Sequence, residues 1–446
     1  MLKEPEKIIH QVYNKICSFK NLLVGFSGGI DSTSLLHILL KLKNSKKPEL
    51  NIRAIHINHG LHNKANQWEK HCKTICMNWK IPFICRRVVI DQKNNIESNA
   101  RKVRYQTYKK ELLLNEIIVT AQHLNDQSET FILSLKRGSG PAGLSSIHEV
   151  FPFDIQNKTT FIIRPLLNIM RSDLENYIEK NNLNYIEDDS NNNIRFDRNY
   201  IRLYVMPLLH KRWPHFSKMV ARSAYLCKEQ ELLIDELLQN KLTTLMNYDG
   251  AISIKGLLEC SPQKRNALIR RWIKHHKIHV PSLKKLEIIW LEIALAKQNA
   301  NPICYLDKIE IRRYQNFLWI VNYIKNLSKK CYNWNYPDTF KLPESLGILE
   351  IIKYGKIRPP FCYEKVTVRF DFKNKIKIFD KIYSKKIKKI WQEYKVAPWM
   401  RNRIPLIFYN ETLITAVNYF ITLEGISKNK EIGISINWKV LKWLII

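Results

Sequence analysis

The chain has 446 residues, 45% of them hydrophobic, which suffices for more than one buried core and excludes wholesale disorder. Lys and Arg outnumber Asp and Glu by 73 to 40, a net charge of +33; a polyanionic partner, nucleic acid first, weighs evenly against plain Lys accumulation in an AT-rich genome. No apolar run is long enough for a membrane span, and nine scattered cysteines without a C-x-x-C pair argue against a disulfide framework, zinc or an iron–sulfur cluster and fit a reducing cytosol.

In chain order, residues 1–16 read as an amphipathic helix with acidic residues and no apolar core of a signal peptide. Leu22–Phe26 is an apolar run ending at Ser-Gly-Gly, and Thr33–Lys43 has helical spacing. Ile52–Ile57, Phe83–Ile90 and Ile117–Ala121 are further strand candidates, separated by helical patterns over Trp68–Trp79 and Ala100–Leu114. This alternation predicts βαβ units: an α/β, doubly wound, mostly parallel sheet. Residues 211–325 turn helical, with long patterns at Ser217–Gln239 and Pro262–His275. Residues 331–446 mix Lys and aromatics with short strand-like runs such as Val366–Phe372 and Leu406–Phe408, and 326–341 reads as a linker. The expected domains are 1–212, catalytic and α/β; 213–328, helical; and 340–446, small α+β.

The first chemical motif is Ser27-Gly28-Gly29-Ile30-Asp31-Ser32, between a strand and a helix. Two glycines let the turn close and aim backbone N–H groups at one point, the helix start adds a positive dipole end, and the serines add hydroxyls. That is a cradle for pyrophosphate, and it lacks the lysine of a Walker loop. The string resembles the PP-loop of ATP pyrophosphatases, which implies cleavage of ATP between its α and β phosphates.

Three further strings narrow the substrate: His56-Ile57-Asn58-His59-Gly60-Leu61; Glu97-Ser98-Asn99-Ala100-Arg101-Lys102-Val103-Arg104-Tyr105; and Thr120 through Thr130 with Lys136-Arg137-Gly138-Ser139-Gly140. With Arg164-Pro165-Leu166-Leu167, Glu187-Asp188-Asp189-Ser190-Asn191 and Arg198-Asn199-Tyr200-Ile201-Arg202, they resemble the tRNA(Ile)-lysidine synthetase family. Arg270-Arg271-Trp272, Glu310-Ile311-Arg312-Arg313-Tyr314 and Pro398 through Leu406 extend the resemblance beyond the catalytic region.

The resemblance implies ATP and Mg²⁺, L-lysine and the CAU-anticodon isoleucine tRNA as partners, a cytoplasmic setting, no membrane, and a possible homodimer. Ser27 through Ser32, with His56, would bind the nucleotide, and Asp31 would hold the metal or orient the loop. Arg101 and Arg104 would offset charge growing on the phosphates, and His123 would contact the adenylate. Asp126 and Glu129 share one helix face and would hold the lysine ammonium and take its proton. Taken alone, that pair reads more readily as acids placed against a helix dipole, and Arg101 and Arg104 read also as surface charges and His56 and His59 as satisfied core or strand-end histidines. Asn125 departs from the family's usual first Asp of a D-D pair, and His62 from an Arg common after H-G-L.

The tRNA surface is sought in Lys373–Lys395, with nine Lys and with Tyr383, Trp391 and Tyr394 interleaved; a helix face turned to solvent explains it as well. Arg270 and Arg271 carry a better claim through the resemblance. A related tRNA thiolase is disfavoured by the missing C-x-x-C, and an RNA-binding protein with an inactive ATP site by the intact loop. A glutamine-dependent amidotransferase would need a nucleophile that the sequence does not offer.

Overall fold

The computed structural model describes residues 4–439 apart from 91–95, 156–157, 298–299, 307–308, 324 and 429–431; the ends of the first and last expected domains, 1–3 and 440–446, lie outside the described residues. Two compact units result, Met1–Ile234 and Asp235–Ile446.

The first unit runs α1 (Glu4–Ile16), β1 (Asn21–Gly25), α2 (Ile30–Ser45), β2 (Asn51–Asn58), α3 (Ala65–Asn78), β3 (Phe83–Arg87), α4 (Ile96–Glu111), β4 (Glu116–Val119) and α5 (Leu124–Lys136). A short α6 (Pro141–Leu144), the hairpin β5 (Val150–Ile155) and β6 (Lys158–Ile163), and α7 (Arg171–Lys180) follow. The unit closes with α8 (Asp197–Tyr200), a π-helical turn (Ile201–Val205), α9 (Met206–Arg212) and the first part of α10 (Phe216–Leu245).

The six strands order as β3-β2-β1-β4-β6-β5. All neighbours are parallel except β5 and β6, an edge hairpin that the strand candidates did not include. The apolar runs are continuous because both faces are buried. Leu22 and Val24 of β1 join the core shared with α1, α2, α3 and α7. Leu23 faces the opposite way, toward Tyr108 of α4. The chain thus changes sides after β3, and the reversal falls between β1 and β4. Open α/β sheets bind ligands at such a switch point, outside the carboxyl ends of the strands.

The second unit holds the rest of α10, β7 (Ile252–Ser253), α11 (Ile254–Leu258), α12 (Pro262–His275), α13 (Leu283–Ile288), β8 (Ile303–Leu306), β9 (Ile309–Tyr314) and β10 (Phe317–Asn322). The middle region thus carries the expected helices and adds an antiparallel sheet, β7-β10-β9-β8. Glu310 through Tyr314 lie on strand β9, whose Ile309 and Ile311 are buried.

The C-terminal region contains β11 (Cys331–Asn333), β12 (Phe340–Lys341), β13 (Ile348–Ile357), β14 (Val366–Arg369), β15 (Lys375–Ile376), β16 (Lys385–Lys386), α14 (Ile387–Glu393), α15 (Pro398–Arg401), β17 (Leu406–Tyr409), β18 (Thr412–Ala416), β19 (Phe420–Ile421) and β20 (Ile434–Lys439). Its sheets are β11-β14-β17-β18-β19, β12-β13-β20 and β15-β16. The linker expected at 326–341 is not one. Leu327, Trp334 and the adjacent Leu342 belong to the C-terminal core, and the Trp334 indole N–H donates to the Asp338 carbonyl at 2.6 Å. Polar residues there mask two buried side chains that fix the segment.

The Lys-rich stretch also resolves into a pattern. Ile387, Ile390 and Trp391 are buried on one side of α14, while Lys388 and Lys389 are exposed. Trp391 packs edge-on against Tyr419 at 5.4 Å and also touches Phe420, so it is a core residue and offers no stacking platform. Tyr383 remains exposed.

Candidate functional site

The loop after β1 is fixed mainly by its own hydroxyls. Ser27 Oγ and Ser32 Oγ lie 3.0 Å apart, the Ser27 N–H donates to Ser32 Oγ at 3.2 Å, and Ser32 Oγ donates to the Gly29 carbonyl at 3.1 Å. Thr33 Oγ1 donates to the Gly28 carbonyl at 3.2 Å, and the Ile186 N–H reaches the same oxygen at 2.8 Å. Gly28 has φ +86°, and a Cβ there would meet Ile186 Cδ1 at 2.7 Å and Cys72 Sγ at 2.8 Å. Both backbone conformation and space therefore demand glycine at that position. Gly29 is the residue before α2, and Ile30, Asp31 and Ser32 form its first turn, where N–H groups lack intrahelical partners.

His56 comes from β2. It is buried, and its Nδ1 donates to the Phe26 carbonyl at 3.0 Å, just before the loop. Burial lowers its pKa, partly offset by the Phe26 hydrogen bond and Glu69. Its observed job is to hold the end of β1. His59 follows on the same strand end, lowered to about 4 by burial and then by Arg104 and His56. The Arg104 charge thus reaches His59, and Arg101 lies over the Tyr105 ring at 5.0 Å. His62 stacks on Trp68 at 4.9 Å, and its Nδ1 accepts the Lys64 N–H.

The segment after β4 brings the carboxylates. His123 caps α5: its Nδ1 accepts the Asn125 N–H at 3.2 Å, which leaves the ring hydrogen on Nε2. Nε2 lies 3.6 Å from Asp31 Oδ1 and 3.6 Å from Asp126 Oδ2. One imidazole therefore bridges the phosphate loop and the α5 carboxylate. Asp31 Oδ1 and His123 Nε2 are buried without a hydrogen-bond partner among the described residues. Burial raises the Asp31 pKa, against His123 and Arg171, which lower it. Burial would also raise Asp126, but His123, Arg198, the His123 N–H and Arg202 outweigh it and hold that pKa low.

Asp126 and Glu129 share one face of α5, as their spacing requires. Asp126 also has the capping role open to it from sequence, since its Oδ2 accepts the His123 N–H at 3.1 Å. What the sequence reading left without a role is their partner pair. Arg198 donates to Asp126 at 2.7 Å and to Glu129 at 2.8 Å, and Arg202 donates to Glu129 at 2.7 Å. The sequence reading gave Arg198 and Arg202 only as part of the resemblance; their i,i+4 spacing puts them on one helical face but does not say which acids they meet.

Asn125 Oδ1 accepts the Arg171 N–H at 3.2 Å and ties the starts of α5 and α7 together. Beside it opens a cavity of about 460 Å³, lined by Glu129, Arg171, Asn191, Asn192 and Arg202 and walled by Leu203, Met206 and Pro207. Three cysteines of the first unit, Cys72 at the loop among them, are unsuited to thiol chemistry: burial pushes Cys76 up to about 12 and Cys85 to about 11, and raises Cys72. Among the described residues no group of three or more His, Cys, Asp and Glu side chains is arranged to hold a metal ion, and no helix is long and apolar enough to cross a membrane.

Comparisons with known proteins fit this geometry. A PP-loop domain model matches residues 1–209, a TilS substrate binding domain model 252–319, and a TilS substrate C-terminal domain model 366–438. A curated tRNA(Ile)-lysidine synthase of Photorhabdus laumondii is 46% identical over 97% of this chain and 98% of its own length. One of Proteus mirabilis is 46% identical over 97% and 98%, and one of Edwardsiella ictaluri 42% over 94% and 95%.

Proposed function

The chain belongs to the tRNA(Ile)-lysidine synthase family, and from that premise we infer which of its residues perform the ATP-dependent ligation. The reaction forms a carbon–nitrogen bond on a tRNA, and ATP leaves as AMP and pyrophosphate. In the reading we propose, the acceptor is the wobble cytidine of the CAU-anticodon isoleucine tRNA and the amine donor is L-lysine.

In the first step, cytosine O2 attacks the α-phosphorus and the bond to the β-phosphate bridging oxygen breaks. Pyrophosphate leaves into the Ser27–Ser32 cradle, where the start of α2 and the serine hydroxyls offset its charge. Arg101 and Arg104, on α4, carry the remaining phosphate charge. Mg²⁺ would supply charge neutralisation of the phosphates when bound. Asp31 suits it, because its buried Oδ1 lacks a protein partner and this ion is commonly held by one or two carboxylates plus phosphates.

In the second step, the lysine ε-amine attacks C2, the C2–O2 bond breaks, and AMP departs. The amine must first lose a proton, given an ordinary pKa of about 10.4. Asp126, held low by His123 and the arginines, is a weak base and a strong electrostatic partner, so its task is to hold the ammonium end in place. Glu129 supports the same position. His123 orients both half-sites from between them.

One observation supports this reading most: a single buried imidazole lies 3.6 Å from both Asp31 and Asp126, the residues to which we assign the leaving group and the amine. The resemblance supports three domains, 1–212, 213–328 and 340–446, and a homodimer, as parts of the same proposal. The test is pyrophosphate release from ATP with and without the CAU isoleucine tRNA transcript. tRNA-dependent release by the wild type that Asp31→Asn abolishes is expected; release indifferent to the tRNA would contradict the assignment.

A further inference from the structure

We propose that the loop between β13 and β14 is a stacking platform for an unpaired nucleobase of the tRNA outside its anticodon arm, with Tyr363 as the ring that meets it; this rests on the tRNA substrate of the functional reading above. The loop, 358–364, lies between the two TilS domain models, which match 252–319 and 366–438. Its apex carries Phe361 and Tyr363, whose rings stack at 5.5 Å with 15° between their planes. The two side chains are 48% and 74% exposed. Trp391 and its neighbours turn their rings into the core, whereas this pair is held out in water.

The anchoring lies beneath the rings. Arg358 donates to both Glu364 oxygens at 2.7 Å, a forked pair whose side chains are 15% and 10% exposed. Glu364 Oε2 also accepts the Phe361 N–H at 2.9 Å, and the Glu364 N–H donates to the Phe361 carbonyl at 2.9 Å. The Arg358 guanidinium lies over Phe361 at 4.9 Å and over the buried Tyr409 at 4.8 Å, which joins the loop to the C-terminal core. Pro359 and Pro360 restrict the chain between the anchor and the apex. The ring pair is thus fixed before a partner arrives, which lowers the ordering cost of binding.

Charge selects the partner. From 356 to 365 the single acid, Glu364, is committed to Arg358, while Lys356 and Lys365 are exposed. An aromatic face flanked by cations suits a base and its neighbouring phosphates. An apolar protein surface would instead have to cover those two ammonium groups without acids to pair them. The reacting cytosine of the anticodon is engaged by the site of the first unit, which leaves the other unpaired bases of the tRNA for this loop.

The test measures equilibrium binding of the full chain to the CAU isoleucine tRNA transcript and to its isolated anticodon stem-loop. Tyr363→Ala should weaken binding of the transcript roughly 5- to 100-fold, the range for one lost base stack, and leave the stem-loop unchanged. Tyr363→Phe keeps the ring and should bind as the wild type does. The slope of log Kd against log salt should be the same in Tyr363→Ala, since stacking releases no counterions. Its melting temperature should also stay at the wild-type value, because the ring is exposed and the Arg358–Glu364 pair holds the loop. No loss with the transcript would overturn the proposal. Equal losses with transcript and stem-loop would overturn it as well, by placing the base in the anticodon arm. A loss in Tyr363→Phe as large as in Tyr363→Ala would assign the effect to the hydroxyl and overturn stacking. A wild type that binds the transcript no better than an unrelated RNA of equal length would overturn the functional reading itself, a result unlike any of the others.

Discussion

Two regions of this chain are rich in charge and use it in opposite ways. Around the Ser27–Ser32 loop, charges are few and closely placed: Asp126 and Glu129 are individually matched to Arg198 and Arg202, and Asp31 lies 3.6 Å from His123. In Lys373–Lys395 there are nine Lys, and those on α14 face water above a core of Ile387, Ile390 and Trp391. Position matters in the first region and number in the second. Changing one charge in the site should therefore alter chemistry and folding together, while changing one lysine should alter only a graded, salt-sensitive attraction.

The sharpest contrast within the Lys-rich stretch is the residue that is not charged. Trp391→Ala should cost about 3–5 kcal/mol in urea denaturation, because it empties a buried aromatic site. Little loss would mean that Trp391 is a surface platform after all. In the catalytic region Glu129→Gln should cost about 3 kcal/mol, at the lower end for a broken buried pair, because the Arg198 and Arg202 side chains keep 24% and 25% exposure. A change under about 0.5 kcal/mol, the range of ordinary surface substitutions, would remove the claim that this charge is individually matched.

Asp31→Asn should have a smaller effect and the opposite sign. The fold raises the Asp31 pKa above its ordinary value of 3.8 through burial. Its protonated form is thus the favoured one; the associated stability is present below that ordinary value and is lost as pH rises through the raised value. At neutral pH the ionised carboxylate costs stability, so the asparagine variant should melt higher than the wild type while losing pyrophosphate release. The gap should close as pH falls toward 4. A variant that melts lower at neutral pH would contradict the sign. Smallest of all, Lys388→Ala combined with Lys389→Ala should leave stability within about 0.5 kcal/mol. If these lysines touch phosphates, the salt dependence of tRNA binding should lose a slope of about one per contact.

The same contrast explains what was legible in the sequence. The β1 loop and the two acids of α5 follow from local rules, since a strand-to-helix turn, two glycines and an i,i+3 spacing place their own residues. The ion pairs from Arg198 and Arg202 join positions about seventy residues apart, which no local period encodes. Likewise the edge hairpin of β5 and β6 was hidden by Pro152 and the polar residues that interrupt its apolar pattern, and β8 to β10 by a region dominated by helical spacing. Trp334 shows the converse error: a polar segment read as a linker is held by that buried indole together with Leu327. Trp391 looked like a nucleic-acid platform because composition cannot tell which side of a helix a ring occupies.

The most direct test of the site is labelled lysine incorporation into a CAU-anticodon isoleucine tRNA transcript by the wild type, by Asp126→Asn, and by the Lys388→Ala, Lys389→Ala variant. The account predicts ATP-dependent labelling in the wild type and the lysine variant at saturating tRNA, and none in Asp126→Asn. Labelling that survives in Asp126→Asn, or a wild type that cleaves ATP without labelling the tRNA, would contradict it.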